Sequence, residues 1–259
     1  GNNQFTQPKD LEVDGGANIY ITSDDRVSKY SDTGSFITSW NANVQNKRGI
    51  ALDNSGNVYV LGTGNSGWRV YKFTSQGSLL TEFQGACIAG EMWEPRGLHV
   101  DNNGKLYIAD SSFHSVQVLN SNGSCAFRIG VDLQNGSANG QFSYPNDVVT
   151  DSYGNIYVAE ENGRRIQKFD SSGAYLSQFI SGSYSFQSLT IDANDVIYGI
   201  TNESNGRIRA FGTSGNDLGQ WGTTGNGQGQ LFNPDGIAVD SKGYLFVADK
   251  DNHRIQKFR

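Results

Sequence analysis

The chain has 259 residues, with 33 Gly against 4 Pro, 12 Tyr, 14 Phe, two Cys and a formal net charge of −6. So many rings exclude a disordered chain, the glycines lack the three-residue period of collagen, and no apolar run reaches the roughly 20 residues of a membrane helix. The acidic balance, with a pI near 5.0, repels phosphate backbones and sets nucleic acid aside as a partner.

Glycine-rich, ring-rich composition describes an all-β chain full of tight turns, and one unit recurs six times. Its marker is an Asp followed five residues later by an aliphatic residue and then Tyr or Phe. Unit 1 starts near residue 8, carries DGGANIYI from Asp14, then a third strand from Arg26 to Tyr30, a turn glycine at Gly34 and a fourth strand ending at Trp40. Unit 2 starts near 47, with DNSGNVYV from Asp53, Arg69 to Phe73, Gly77 and Phe83. Unit 3 starts near 95, with DNNGKLYI from Asp101, Ser115 to Leu119, Gly123 and Ile129. Unit 4 starts near 145, with DSYGNIYV from Asp151, Arg165 to Phe169, Gly173 and Phe179. Unit 5 starts near 186, with DANDVIYG from Asp192, Arg207 to Phe211, Gly215 and Trp221. Unit 6 starts near 234, with DSKGYLFV from Asp240 and Arg254 to Phe258, and there the count stops before a second turn glycine.

Within each unit a short apolar stretch such as GIALD or GLHVD enters an Asp-x-x-Gly turn and leaves as a second strand. The Asp carboxylate caps the turn and Gly takes the positive φ. The markers are spaced by 39, 48, 50, 41 and 48 residues, the period of four-stranded propeller blades. The sequence therefore predicts an all-β, six-bladed β-propeller of four-stranded antiparallel blades. One domain spans residues 1–259, and the last blade lacks its outer strand within this chain. That strand is expected either from upstream or irregularly from residues 1–6, or from another chain at an open edge strand, Arg254–Phe258.

Residues 232–258, FNPDGIAVDSKGYLFVADKDNHRIQKF, resemble an NHL repeat, including its Asn-His pair. Residues 144–173 and 93–123 are similar but looser. Blades 1, 2 and 5 depart from the pattern after the second strand, where Ser23, Gly62 and Thr201 replace its acid. The resemblance implies the fold; NHL propellers include enzymes, RNA binders and extracellular sensor domains, so it does not fix a function.

The residues offer little for catalysis. His99 stands in an innermost strand where it could reach the central channel and is a weak metal candidate. His253 belongs to the NHL hairpin, and His114 is expected on an exposed loop. The three occupy unlike blade positions, which argues against a zinc cage. The resemblance also raises peptide-amidating lyases, which use His ligands around a channel metal; no matching set stands here. No cofactor is expected, although a channel-mouth cation such as calcium remains open. Cys87 follows one fourth strand while Cys125 opens another, towards opposite faces, which argues against a disulfide. Asn122, Asn135 and Asn202 open N-x-S/T sequons and hint at an exported surface.

Recognition fits better. The loops entering first strands and the hairpins joining second to third strands share one face. The entry position reads Lys9, Arg48, Arg96, Asn146, Gln187, Asp235 through the six blades, so cations gather on one side of the channel mouth. Glu160 with Arg165 and Asp249 with Arg254 read as pairs holding a hairpin. Arg69 and Arg207 lack such an acid, although Glu203 is near Arg207. Trp68, Arg69, Trp93, Phe113 and His114, beside Lys9, Arg48 and Arg96, form the expected binding sector above blades 2 and 3. The functional expectation is an extracellular or cell-surface propeller that binds a protein or glycan on its loop-rich face or assembles through the blade 6 edge. The alternative is a channel-metal-dependent lyase or hydrolase.

Overall fold

The computed structural model describes residues 7–259 apart from 25, 42, 85–86, 88–91, 132 and 181. Blade 1 consists of Leu11–Val13, Ile19–Thr22, Val27–Tyr30 and Phe36–Trp40. Blade 2 follows with Ile50–Leu52, Val58–Gly64, Gly67–Phe73 and Leu79–Phe83. Blade 3 uses Pro95–Val100, Leu106–Asp110, Ser115–Leu119 and Cys125–Gly130. Blade 4 uses Pro145–Thr150, Ile156–Glu160, Arg165–Phe169 and Tyr175–Ile180. Blade 5 uses Phe186–Ile191, Ile197–Thr201, Arg207–Phe211 and Asp217–Trp221. Blade 6 has Ile237–Val239, Leu245–Asp249 and Arg254–Phe258. Every blade is an antiparallel meander in chain order, and each first strand touches those of its two neighbours until blade 6 meets blade 1. The chain is a six-bladed β-propeller.

The turn chemistry has a local cause. In all six blades the marker Asp accepts backbone N–H groups from two and four residues on, as Asp53 Oδ1 does from Ser55 and Asn57 at 3.0 and 2.9 Å. In blades 1 to 5 its second oxygen also accepts the hydroxyl of the Tyr six residues on, at 2.9–3.3 Å: the buried Tyr20, Tyr59, Tyr107 and Tyr157, and the partly buried Tyr198. The capped turn is thereby bolted to the second strand. Blade 6 has Phe246 instead, and Asp240 Oδ2 is buried with no partner among the described residues. The positive-φ position is Gly in four blades; Ala17 (φ 62°) and Asp195 (φ 60°) take it in blades 1 and 5. Asp tolerates that region better than Ala, which carries its steric cost.

The core is divided among the seams between blades. Ile, Val and Leu of the second strands interleave with first-strand aliphatics and with the aromatic ends of the third and fourth strands. These seams fix where the first strands stand around the channel. No helix among the described residues is long and apolar enough to cross a membrane.

Candidate functional site

The channel opens on the hairpin face into a cavity of about 320 Å³. All six entry residues line it, joined by Glu94 before blade 3 and Lys250 from the blade 6 hairpin. Entry loops and hairpins thus share one face, as the topology requires.

The rim cations each have a carboxylate. Lys9 Nζ is 2.7 Å from Asp24, and Lys250 Nζ is 3.2 Å from Asp235. Arg96 donates to Glu161 at 2.6 Å and Asn146 at 2.8 Å, and reaches Glu94 at 3.3 Å. Arg48 reaches the same Glu94 oxygen at 3.5 Å while lying 5.0 Å from the Trp68 ring centroid. Burial works to raise the Glu94 carboxyl, but a hydrogen bond from Ser112, with Arg96 and Arg48 beside it, outweighs burial and holds it below its usual range. These pairs are partly exposed and individually weak. What they create is a polarised rim in which one carboxylate is shared by two guanidinium groups.

One residue further in, the ring reads Asp10, Gly49, Gly97, Asp147, Ser188, Gly236. Asp10 of blade 1 accepts the Ile50 N–H of blade 2 at 2.9 Å, and Asp147 of blade 4 accepts the Leu189 N–H of blade 5 at 2.7 Å. Each is a latch between blades. The glycines make room: a methyl group on Gly97 would lie 2.3 Å from Asp147 Oδ1, and one on Gly236 2.6 Å from Asp10 Oδ1. Deeper still, Glu12 and His99 line the channel with Asp10 and Asp147. Burial, with a smaller push from the Asp147 charge, raises Glu12 to about 7. Burial also lifts Asp147 to about 6 and Asp10 well above its usual value. It presses His99 down to about 4, against the pull of Asp101. His99 is thus a neutral imidazole at pH 7, with Nε2 2.9 Å from the Thr150 hydroxyl. No group of three or more His, Cys, Asp or Glu among the described residues is placed to hold a metal ion.

The expected sector comes together only in part. Arg48 and Trp68 stack, and Trp93 lies over Phe113 with ring centroids 5.1 Å apart. Trp93 is 54% exposed; Phe113 is buried beneath it. His114 is buried rather than exposed, because its Nδ1 accepts the Tyr144 N–H at 3.3 Å and its ring packs edge-on against Tyr144. Arg69 does not lack an acid: the fourth-strand Glu82 sits 3.3 Å away, drawing Arg69 into a separate outer hollow with Asn41, Tyr71 and Leu79. Glu203 pairs with Arg209 rather than Arg207. The sequence reading missed Asp24, Glu94, Glu161 and Lys250. Their signal was faint: each lies within a loop or hairpin whose tip positions carry no repeat register.

Cys87 and Cys125 are joined in a disulfide, contrary to the expectation from strand placement. In blade 4, Arg165 donates to Glu160 at 2.5 Å and to the carbonyls of Ser137 and Gln141, while Gln167 accepts the Gly140 N–H at 3.0 Å. Blade 6 repeats the device: Arg254 bonds Asp249, Asn226, Gly227 and Gln230, and Gln256 accepts the Gly229 N–H. Each clamp holds the long loop entering its blade. Blade 3 keeps the Gln, whose Oε1 accepts the Cys87 N–H at 3.1 Å, but has Ser115 where the Arg stands. There the disulfide takes over from the arginine, drawing the loop through Cys87 onto the fourth strand. Ser111 Oγ, Ser115 Oγ and Gln117 Nε2 are left buried without partners among the described residues.

Comparison with known proteins agrees with this architecture. The NHL repeat pattern matches residues 92–119 and 233–258. Over 39 residues, 15% of this chain and 5% of the relatives, the chain is 49% identical to E3 ubiquitin-protein ligase TRIM71 of Rattus norvegicus and 46% identical to that of Mus musculus. It therefore spans only a small fraction of the curated relatives it matches. Among solved structures, a streptogramin B lyase superposes with TM-score 0.69 at 16% identity, over 98% of this chain and 93% of that one. Virginiamycin B lyase from Staphylococcus aureus gives 0.64 at 17%, over 99% and 85%. A protein of unknown function from Bacteroides caccae gives 0.63 at 12%, over 82% and 80%. Identities this low show the fold alone.

Proposed function

We propose that this NHL-repeat propeller is a binding module of an extracellular or cell-surface protein, recognising an acidic protein or glycan on its loop-rich face above blades 2 and 3. One observation carries the reading: two guanidinium groups, Arg48 and Arg96, reach the same oxygen of Glu94, with Trp68 against Arg48 and the exposed Trp93 next to Glu94 in the chain. An incoming acidic group competes with Glu94 for both arginines, and the indole rings supply apolar contact area. Export is supported by the Cys87–Cys125 disulfide, since such bonds persist in oxidising compartments, and by the exposure of sequon residues Asn122, Asn135 and Asn202.

The test is a panel of immobilised acidic peptides and sulfated or sialylated glycans. A member should bind, weaken as salt rises, and lose at least tenfold in affinity on Arg48→Ala or Trp93→Ala. A panel without a binder, or binding indifferent to both substitutions, overturns the reading. The competing account, a channel-metal lyase or hydrolase, predicts stoichiometric metal in purified protein that disappears with His99→Ala.

A further inference from the structure

We propose that the outer hollow of blade 2 seats a glycine-rich turn of another polypeptide, held through its main chain by Arg69 and Tyr71. The argument starts from the loop clamps of blades 4 and 6, which share one register. Arg165 donates to the carbonyls of Ser137, Ala138 and Gln141 at 2.7, 3.3 and 2.8 Å. Arg254 donates to those of Asn226, Gly227 and Gln230 at 2.8, 2.7 and 2.8 Å. Two residues on, Gln167 accepts the Gly140 N–H and donates to the Gln141 carbonyl, and Gln256 does the same with Gly229 and Gln230. The two clamped loops read GSANGQ at 136–141 and GNGQGQ at 225–230, a shared Gly-x-x-x-Gly-Gln.

Blade 2 keeps the clamp and has no such loop. Strand register places Arg69 and Tyr71 where blade 4 has Arg165 and Gln167: Val70 pairs with Phe83 and Tyr71 with Glu82, as Ile166 pairs with Phe179 and Gln167 with Gln178. From the end of the preceding fourth strand to the entry residue is 17 positions before blade 4 and 14 before blade 6, but only 8 before blade 2, from Trp40 to Arg48. Beside Arg69 and Tyr71 lies a hollow of about 510 Å³, lined also by Asn41 of that short loop and Asn65 of the blade 2 hairpin. This hairpin is extended, with strands of 7 residues against 5 in blades 4 and 6. Gly64 near its tip leaves room for the Tyr71 hydroxyl, with which a methyl group there would collide. The Tyr71 hydroxyl bonds no protein group among the described residues. Gly62 supplies no second-strand acid, so Glu82 orients Arg69 at 3.3 Å. That contact leaves the guanidinium able to clamp: Arg165 bonds Gln178, the counterpart of Glu82, at 2.8 Å while it holds its loop.

The clamp states the chemistry of its occupant. A guanidinium offers five N–H donors and no acceptor, which suits successive main-chain carbonyls. A tyrosine hydroxyl both accepts and donates, so it serves an N–H and a carbonyl as the Gln amide does with its two ends. Gly140 and Gly229 stand at φ 78° and 72°, so the second glycine of the turn is needed for its backbone conformation. The residue after the turn is a buried plug in blades 4 and 6, Phe142 and Leu231, and in blade 2 Val44 already fills that register. The incoming segment therefore ends its contact at the Gln. Leu79, 57% exposed on the hollow, adds apolar area.

The probe is a capped peptide of residues 135–141, NGSANGQ, added to the 259-residue protein and followed by NMR chemical-shift titration. It should bind in about the millimolar range, because a free turn pays its ordering entropy on binding. Tyr71→Phe, which keeps the ring and removes the hydroxyl, should weaken binding about fivefold, the loss of one hydrogen bond. Arg69→Ala should weaken it further, and a peptide with Gly140→Val should bind more weakly to the unaltered protein. Trp93→Ala should leave peptide binding unchanged, which separates this hollow from the loop-rich face. No binding at millimolar peptide, indifference to Tyr71→Phe, equal affinity for the valine peptide, or a neutral oligosaccharide such as maltotriose binding there instead of the peptide would each overturn the proposal.

Discussion

Replacing Glu12 by Gln tests how the channel charges act on stability. Among the described residues the Glu12 carboxyl accepts its neighbour's N–H, from Val13 at 3.0 Å, and burial carries its pKa from 4.5 to about 7. Below pH 4.5 the group is protonated folded or unfolded and costs nothing. As pH rises through the folded value, stability is lost, because the unfolded chain ionises freely while the channel resists. At about 1.4 kcal/mol per unit the full loss is about 3 kcal/mol above pH 7, and the high effective dielectric of real protein sites brings it to about 2 kcal/mol. His99, pressed from 6.5 down to about 4, acts with the opposite sense, giving stability that is complete above pH 6.5 and lost as pH falls towards 4. Wild-type stability is therefore partly levelled between pH 4.5 and 6.5 by opposing groups in one channel. Urea titrations of wild type and Glu12→Gln at pH 4, 6 and 8 isolate the carboxyl. The variant should match wild type at pH 4 and exceed it by about 2 kcal/mol at pH 8. A difference independent of pH, or a less stable variant at pH 8, would refute the reasoning.

Phe246→Tyr should give buried Asp240 the hydroxyl its counterparts receive, adding about 1 kcal/mol in denaturant titration; a loss would mean the ring has no room for its oxygen. Replacing Cys87 and Cys125 by Ser should cost roughly 2–4 kcal/mol for a loop of this length. In that background Ser115→Arg, beside buried Asp110, should recover part of the loss and slow proteolysis after residue 84. Recovery by Ser115→Lys as well would argue against a forked clamp. Gly97→Ala should destabilise by about 2 kcal/mol through its clash with the Asp147 latch, whereas Gly15→Ala, with open space around it, should change stability little.

The blades were legible because their signals are local: the marker Asp, the Tyr or Phe six residues on, and the turn glycines all act within one hairpin. The ends of the third and fourth strands followed from the same offsets. What escaped was set by contacts between blades. The disulfide looked unfavourable because Cys87 was placed by its position after one blade, whereas the Gln117 acceptor belongs to the next and draws the loop across. His114 looked exposed because its loop carries no apolar period; Tyr144, 30 residues on, covers it. The entry ring was foreseen at all six positions because it repeats. Its counter-charges, Glu94 and Glu161, were not, because they occur in single blades.

That contrast also bears on the proposed function. Where Glu160 meets Arg165 and Asp249 meets Arg254, the repeat satisfies its own charges and spends them on holding loops. Blades 2 and 3 have lost that arrangement: Gly62 has no acid to offer and Ser115 has no guanidinium. Blade 2 turns Arg69 outward to Glu82, and blade 3 relies on a disulfide. The loop before blade 3 ends in Trp93 and Glu94, and Glu94 accepts the Ser112 hydroxyl of the blade 3 hairpin at 2.9 Å. Glu94 also meets Arg48 and Arg96, which the entry ring had already placed at the mouth. On the proposed reading, the recognition surface lies at blades 2 and 3, where the hairpin pair kept by blades 4 and 6 has lost its acid (blade 2) or its guanidinium (blade 3).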